Sequence, residues 1–277
     1  MEAFQGRLVV VKVGGRLVQE GGVPEGILQD LKALHEQAKA SLVFIHGGAD
    51  IVTDIAKRMG KEQKFIVSPD GMRSRYTDKE TMEIYTMVMA GKVNKSLVAS
   101  FQSKGIKAVG LSGADGMLLK AERKKKLVIL DERGRKIAID GGYTGKIREV
   151  NVELLKGLLS AGYLPVVAPI AIDDEFNLLN VDSDRAAAYI AGALKADHLV
   201  YCTDVEGLIL DGKLVRKLTL FEAEEELPRI GHGMKRKVYA AVEALNMGVK
   251  EAVITYGLGE SPVIQALQHK VGTLLVP

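Results

Sequence analysis

Two glycine pairs, each closing an apolar run, are the first residues whose type and spacing could do chemistry. Gly14-Gly15 close the run of residues 7–13, which contains Lys12, and Gly47-Gly48 close the run of residues 42–45. Glycine lets a backbone approach an anion closely, and the N-terminus of a following helix adds N–H donors and a positive dipole end. The sequence therefore predicts phosphate binding, with an ordinary tight strand-to-helix turn as the alternative for each pair.

Further polar candidates stand where strands end or helices begin. Asp184 follows Asn180 by four residues at the start of a helical pattern, and Thr203-Asp204 end the apolar run of residues 198–203. Residues 235–237, Lys-Arg-Lys, open another helical pattern, where a cation opposes the helix dipole, so an anion is expected nearby. The alternatives are helix capping by Asp182 and Asp184 and a solvated basic turn.

The elements that must position these residues alternate between strand and helix. Continuous β-branched runs are typical of strands buried on both faces, and the intervening segments have helical spacing. This order predicts an α/β fold, a three-layer αβα sandwich with a mainly parallel central sheet. A hairpin pattern near residues 118–147 is expected to mark a border between two lobes of one domain spanning residues 1–277. Predicted strands cover residues 7–13, 42–45, 108–111, 164–167, 198–203, 252–256 and 274–276, and predicted helices residues 27–40, 50–59, 79–103, 151–161, 183–194, 238–247 and 262–268.

Composition and missing motifs exclude several classes of protein. No G-x-G-x-x-G follows the first strand, GGYTGK at residues 141–146 has the wrong spacing for a P-loop, and no H-E-x-x-H, G-x-S-x-G or C-x-x-C occurs. A net charge of +3, no Trp and 5% aromatic residues give no support for nucleic-acid binding. The longest apolar stretch, residues 163–172, is short and interrupted by prolines, so no membrane association is expected. The single cysteine, Cys202, is expected in the core, and its lack of a partner favours the cytoplasm.

Read together, the motifs resemble the amino acid kinase family, and most closely its acetylglutamate kinase branch. Each single motif is weak, whereas several in the right order are specific. The matching segments are VVKVGG (10–15), FIHGGA (44–49), GLSGADG (110–116), GYTGKIREVN (142–151), NVDSDRAAAYIA (180–191), CTDVEGL (202–208) and GHGMKRKVYAA (231–241).

Two departures separate the chain from that branch. Ala49-Asp50 stand where acetylglutamate kinases usually have a third Gly and a Pro, and SPDGMRSRYTD (68–78) is two residues longer than their corresponding segment. The longer form resembles the kinases of carrier-dependent lysine biosynthesis, which phosphorylate α-aminoadipate, and in some archaea glutamate, bound to the small acidic carrier LysW. N-acetylglutamate kinase is the first alternative, a non-catalytic amino-acid sensor the second, and isopentenyl phosphate kinase is disfavoured.

The resemblance implies a role for each matching residue. Lys12 and Lys237 would stabilise the transition state of phosphoryl transfer from ATP with Mg²⁺, and Asp184 would orient both lysines. The expected substrate-binding residues are Gly47, Gly48, Arg75 and Asn180, with Arg73 as the alternative to Arg75. The expected nucleotide-binding residues are Gly14, Gly15, Thr203, Asp204 and Gly207, and no dedicated metal ligands are expected.

The resemblance also implies an organisation and a partner. The acceptor-binding lobe would cover residues 1–175 and the nucleotide-binding lobe residues 176–277. A homodimer without arginine feedback is expected, because the first strand begins near Arg7 and leaves no room for the extra N-terminal helix of arginine-inhibited relatives. An acidic carrier would need a positive rim near the acceptor loop, for which the sequence offers Lys57, Arg58, Lys61, Lys64, Arg73, Arg75 and Lys124, Lys125 and Lys126.

Overall fold

The fold is a sheet covered by helices on both faces, in a computed structural model that describes residues 1–18 and 22–277. Helices α3 and α4 are joined by a π-helical segment, Met87–Val93. The helices are α1 (Glu25–Glu36), α2 (Ala49–Arg58), α3 (Lys79–Thr86), α4 (Asn94–Ser103), α5 (Val152–Ser160), α6 (Ser183–Leu194), α7 (Leu220–Glu226), α8 (His232–Asn246) and α9 (Pro262–Leu267). The strands are β1 (Leu8–Val13), β2 (Ser41–His46), β3 (Phe65–Val67), β4 (Arg73–Arg75), β5 (Ala108–Ser112), β6 (Leu119–Arg123), β7 (Lys126–Leu130), β8 (Lys136–Asp140), β9 (Gly145–Val150), β10 (Leu164–Ala168), β11 (Ile170–Ile172), β12 (Leu178–Asn180), β13 (His198–Thr203), β14 (Ile209–Leu210), β15 (Lys213–Leu214), β16 (Lys217–Thr219), β17 (Glu251–Tyr256) and β18 (Thr273–Val276).

The central sheet of the described residues has eight strands in the order β16-β18-β17-β13-β1-β2-β10-β5. Its neighbours pair in parallel except β17 and β18, so the predicted mainly parallel sheet is confirmed. Strand β1 lies between β13 and β2, which brings the ends of these three strands to the same edge of the sheet. Ligand sites of open α/β sheets form at such carboxyl ends.

Alternate residues of β1 divide the interior into two layers. Val9, Val11 and Val13 belong to a core cluster shared with α1, α3, α4 and α9. Val10 belongs to a second cluster, which includes residues of α5, α6 and α8. Because side chains alternate along a strand, Lys12 points to the face on which α6 and α8 pack. The predicted three-layer αβα architecture is confirmed.

Several local predictions need correction. The helix predicted over residues 79–103 is interrupted by the π-helical segment, which local spacing does not reveal. Helix α8 begins at His232, earlier than the predicted residue 238, so the basic residues 235–237 lie inside the helix. Helix α7 was not predicted, although Thr219 and Glu222 form a capping box at its start.

A buried carboxylate ties the beginning of the fold to its end. Asp30 on α1 accepts hydrogen bonds from the backbone N–H groups of Val263 (2.7 Å) and Ile264 (3.0 Å), and also from the Ser261 hydroxyl. These N–H groups belong to the first turn of α9, which has no acceptor for them within its own helix. Asp30 therefore caps a helix more than two hundred residues away in the chain.

Asp30→Ala should lower the free energy of unfolding by about 1–3 kcal/mol, because it leaves buried N–H groups without an acceptor. Urea unfolding followed by circular dichroism measures the change. Asp54→Ala, which removes an exposed carboxylate from α2, is the control and should change it by less than about 0.5 kcal/mol. Equal effects of the two substitutions would show that capping of α9 by Asp30 contributes nothing to the free energy of unfolding.

Candidate active site

Three charged side chains meet at the carboxyl end of β1. The Lys12 Nζ lies 2.6 Å from Oδ1 of Asp184, and the Lys237 Nζ lies 3.2 Å from Oδ2. The side chains of Lys12 and Asp184 are 4% and 6% exposed, and that of Lys237 is 14% exposed. A single carboxylate thus lies between two ammonium groups and out of bulk water.

Each of the three residues is held by a different element. Lys12 comes from β1, Asp184 from the first turn of α6 and Lys237 from α8, and α6 packs against both β1 and α8. Of the two acids considered as caps, Asp182 is the N-cap of α6 and accepts from the Arg185 N–H. Asp184 instead pairs with the lysines, which accounts for a cation near the start of α8.

Burial and charge act in opposite directions on these groups. Burial opposes ionisation of Asp184, but the ammonium groups of Lys12 and Lys237 outweigh it and lower the pKa of the carboxyl to about 2. Burial lowers the pKa of Lys12, although the carboxylate of Asp184 favours its charged form. The site therefore favours an additional anion, since one carboxylate balances only one of the two cations.

The two glycine loops pack directly against each other beside this cluster. The Gly14 N–H donates to the Cys202 carbonyl and the Gly47 N–H to the Val13 carbonyl, so both are committed to the end of the sheet. A Cβ on Gly15 would lie 2.7 Å from the Gly48 nitrogen, and one on Gly47 would lie 2.6 Å from the Gly15 nitrogen. The glycines are thus needed for the contact between the loops, quite apart from any ligand.

A cleft of about 150 Å³ opens between the loops and the helices that face them. One side is formed by the two loops and the first turn of α2, the other by α3, the π-helical segment, a loop before β11 and the start of α6. Its lining residues are Gly15, Gly47, Gly48, Ala49, Asp50, Tyr85, Met89, Pro169 and Ser183. Ser183, the neighbour of Asp184 on α6, lines this cleft, whereas Lys12, Asp184 and Lys237 do not.

The substrate residues predicted beyond the loops already make contacts within the protein. The Arg75 guanidinium donates to the Ala49 carbonyl (2.8 Å) and to the Thr53 hydroxyl (2.9 Å), both on α2. Arg73 is exposed and stacks on Phe65, 4.0 Å from the ring centre. The Asn180 side-chain amide donates to the Thr77 hydroxyl (2.9 Å). In this structure Arg75 holds the start of α2, directly after the second glycine loop.

Of the predicted nucleotide residues, Thr203, Asp204 and Gly207 lie at or after the end of β13, the neighbour of β1 on the side away from β2. The Thr203 hydroxyl donates to Asp204, which also forms an ion pair of 2.6 Å with Arg16 from the first glycine loop. Gly207 has a φ of +158°, and a Cβ there would lie 2.6 Å from the Thr273 hydroxyl. Cys202, next to this loop, is fully buried, and burial raises the pKa of its thiol to about 12, as expected of a core residue.

Sequence reasoning missed the polar groups that support the site. The Nδ1 of His46 lies 3.0 Å from the Gly47 carbonyl, and its Nε2 lies 3.2 Å from the Asn94 amide. Burial lowers the pKa of His46 to about 4, so the ring is neutral at pH 7 and holds the second glycine loop. Arg185 and Glu243 join α6 to α8 by an ion pair. A polar residue directly before a glycine pair was the available signal for His46.

The sequence is similar to those of known proteins along nearly its whole length. Residues 7–256 match the amino acid kinase family. The chain belongs to the amino acid kinase family. A protein of Cenarchaeum symbiosum is 51% identical over 97% of this chain and 99% of its own length. A protein of Sulfurisphaera tokodaii is 46% identical over 97% of this chain and 100% of its own length. A protein of Saccharolobus solfataricus is 44% identical over 94% of this chain and 97% of its own length. Both relatives are named "[LysW]-aminoadipate/[LysW]-glutamate kinase".

Solved structures share the fold. N-acetylglutamate synthase of Neisseria gonorrhoeae, complexed with coenzyme A and N-acetyl-glutamate, has a TM-score of 0.79 and 26% identity over 99% of this chain. This chain spans 60% of that longer protein. Carbamate kinase of Giardia lamblia bound to AMP-PNP, at 17% identity and a TM-score of 0.65 over 98% of each chain, shows the fold alone.

Two structural features are absent from residues 1–18 and 22–277. No helix there is long and apolar enough to cross a membrane. No group of three or more His, Cys, Asp or Glu side chains in that part of the chain is placed to hold a metal ion.

Gly47→Ala should reduce turnover by about two orders of magnitude or more, because the new Cβ displaces the Gly15 backbone and with it the loop contact. Steady-state kinetics with ATP measures the change, and thermal unfolding checks folding. Gly157→Ala is the control, since Gly157 lies within α5 with no atom within 4 Å of the added Cβ, and it should leave turnover unchanged. Normal turnover in Gly47→Ala would refute the importance of the contact.

Proposed function

We propose that this protein transfers the γ-phosphoryl group of ATP to the side-chain carboxylate of α-aminoadipate, and of glutamate, bound through its amine to the carrier LysW. The products are ADP and an acyl phosphate. Membership of the amino acid kinase family and the names of relatives at 44–46% identity support this proposal. The observation that carries it is the buried carboxylate between Lys12 and Lys237, next to two glycine loops in contact.

The charged cluster would bring two anions together. Phosphoryl transfer needs alignment of the reactants and neutralisation of negative charge rather than covalent help from the protein. Lys12 would act on the phosphates from β1, and Lys237 from α8, as the charge on the γ-phosphoryl oxygens spreads. Asp184 would hold both ammonium groups in place, because each of its oxygens contacts one of them.

The loops would supply neutral donors on each side of the transferred group. The N–H groups of Gly14 and Gly47 already donate hydrogen bonds to carbonyls at the end of the sheet. The N–H groups of Gly15 and Gly48 are therefore better placed to donate to ATP phosphates and to the acceptor carboxylate. Arg75 and Asn180 would bind the substrate after releasing part of their present contacts. Thr203, Asp204 and Gly207 would lie near the nucleotide. Mg²⁺ would arrive with ATP, held largely by phosphates and water.

The proposal also covers the division of the chain into two lobes and the oligomeric state of the protein. The acceptor lobe would comprise residues 1–175 and the nucleotide lobe residues 176–277, since β2 and α2 lie on one side of β1 and β13 on the other. We also propose that the protein is a cytoplasmic homodimer. A non-catalytic sensor is disfavoured, because it would not need a buried pair of lysines around one acid. N-acetylglutamate kinase remains the second candidate, since its chemistry is identical.

The acceptor is identified by a hydroxamate assay of acyl phosphate formation. LysW-linked aminoadipate and LysW-linked glutamate are compared with free N-acetylglutamate at equal concentrations. We expect the carrier-linked acids to give the higher kcat/KM. A higher kcat/KM for free N-acetylglutamate would overturn the proposal in favour of N-acetylglutamate kinase.

Lys12→Ala and Lys237→Ala should each reduce turnover by about two orders of magnitude or more, the size expected from loss of one charge stabiliser. The same assay measures turnover, and circular dichroism confirms that each variant is folded. Lys235→Ala, two residues before Lys237 on α8, is the control and should have a much smaller effect. Near-normal turnover in a folded variant of Lys12 or Lys237 would contradict the assignment.

The basic residues available to an acidic carrier differ in how far they are already paired. Lys61 contacts Asp78 (3.0 Å) and Glu80 (2.6 Å), so its charge is largely compensated by its neighbours. Lys57 and Arg58 are exposed at the end of α2, whose first turn lines the cleft. Lys125 and Lys126 are exposed before or at the start of β7, whereas Lys124 is half-buried. These exposed residues are the best candidates for the rim.

Raising the salt concentration should increase KM for the carrier-linked substrate more than KM for ATP, because exposed charges are screened within about 8–10 Å. Glu substitution of Lys57 and Arg58, or of Lys124, Lys125 and Lys126, should do the same with little change in kcat. Lys107→Glu is the control, since this exposed lysine precedes β5 at the opposite edge of the sheet. Equal salt effects on both KM values would exclude electrostatic docking.

A further inference from the structure

Tyr85 and Met89 are the two large side chains that line the cleft beside the glycine loops. Tyr85 is in α3, and Met89 is in the π-helical segment that follows it. A π-helical segment inserts an extra residue into a helix and is frequently found at functional sites. Both side chains are buried, 5% and 1% exposed, and both line the cleft. An acceptor in the cleft would therefore pass along these two side chains.

The two residues differ in how firmly they are held. The Tyr85 hydroxyl lies 3.4 Å from the Pro169 carbonyl. The aromatic ring of Tyr85 is rigid and cannot change its shape. Met89 packs directly on the acceptor loop, since a Cβ on Gly48 would lie 2.9 Å from its Sδ. An unbranched thioether with three rotatable bonds adapts to irregular space, so Met89 is the compliant part of the wall.

If the carrier docks in the same place for both acids, the proposed reaction fixes both ends of the acceptor. Its reacting carboxylate must lie at the charged cluster of Lys12, Asp184 and Lys237, and its amine must point out of the cleft toward the carrier. A six-carbon acid has one methylene more than a five-carbon acid between these fixed ends. The extra methylene cannot lengthen the path, so it must bend sideways into the wall. Whether the wall yields at that point decides which acid is accepted.

We propose that Met89 is the residue that sets the acceptor chain length, and that its flexibility lets one cleft accept both the five-carbon and the six-carbon acid. This inference rests on the proposed function and adds its specificity determinant. Isoleucine at position 89 would be stiff at χ1 and could not move aside. Alanine would leave room for the longer chain, whereas the shorter acid would lose a contact.

The experiment measures the ratio of kcat/KM for LysW-linked aminoadipate to that for LysW-linked glutamate. In Met89→Ile this ratio should fall by about tenfold or more, within the range that one methylene can decide. In Met89→Ala the ratio should rise. Met87→Ile and Met87→Ala are the matched controls, because Met87 lies in the same segment but is 54% exposed, and they should leave the ratio unchanged.

Each outcome decides the inference. An unchanged ratio in both Met89 variants, an equal loss of activity toward both acids, or an equal change in the Met87 variants would overturn it. An unaltered KM for ATP and an unaltered thermal midpoint show that a variant is folded. If Met89→Ile does not fold, Met89→Leu replaces it, because leucine has one rotatable side-chain bond fewer than methionine. If the unsubstituted protein phosphorylates neither carrier-linked acid, the proposed function fails, and the same ratio is then measured with N-acetyl-α-aminoadipate and N-acetylglutamate.

Discussion

The site depends on one electrostatic constraint, a buried carboxylate that balances only one of two ammonium groups, one buried and one largely shielded from water. Asp184 contacts Lys12 and Lys237 with its two oxygens, at 2.6 and 3.2 Å. Removing three charges from water is costly, and such a cluster persists only where the surrounding elements hold it. Here β1, α6 and α8 each supply one member, and the ion pair of Arg185 with Glu243 joins the two helices. The arrangement is better suited to receiving an anion than to stabilising the fold.

The glycine loops follow from the same arrangement of strands. Because β2 lies next to β1, the loops after these strands leave the sheet side by side, and glycine allows them to touch. His46 and Arg75 then hold the second glycine loop from within the protein, through the Gly47 and Ala49 carbonyls. The position of the second glycine loop is therefore fixed by several neighbouring residues, not by the glycines alone.

The sequence predicted the fold class and most of the central strands, because strands buried on both faces have continuous apolar sequences. It also indicated Lys12, Asp184 and Lys237 as candidates, which the structure brings together. It could not indicate the π-helical segment, since local spacing is helical there and the segment packs on α2 and β5, which are separate from it in the chain. The contacts of Arg75 with α2 and the cleft wall at Met89 were hidden for the same reason, because they join segments distant in the chain.

The capping of α9 by Asp30 and the central position of β1 bear on how the chain folds as it leaves the ribosome. Strand β1 is made first, yet one of its two neighbours, β13, ends only at Thr203. Asp30 meets its N–H partners only after residue 264 has been made. The pairing of β1 with β13 and the cap of α9 therefore form only after long stretches of the chain have been made, so closure of the core comes late relative to the synthesis of β1.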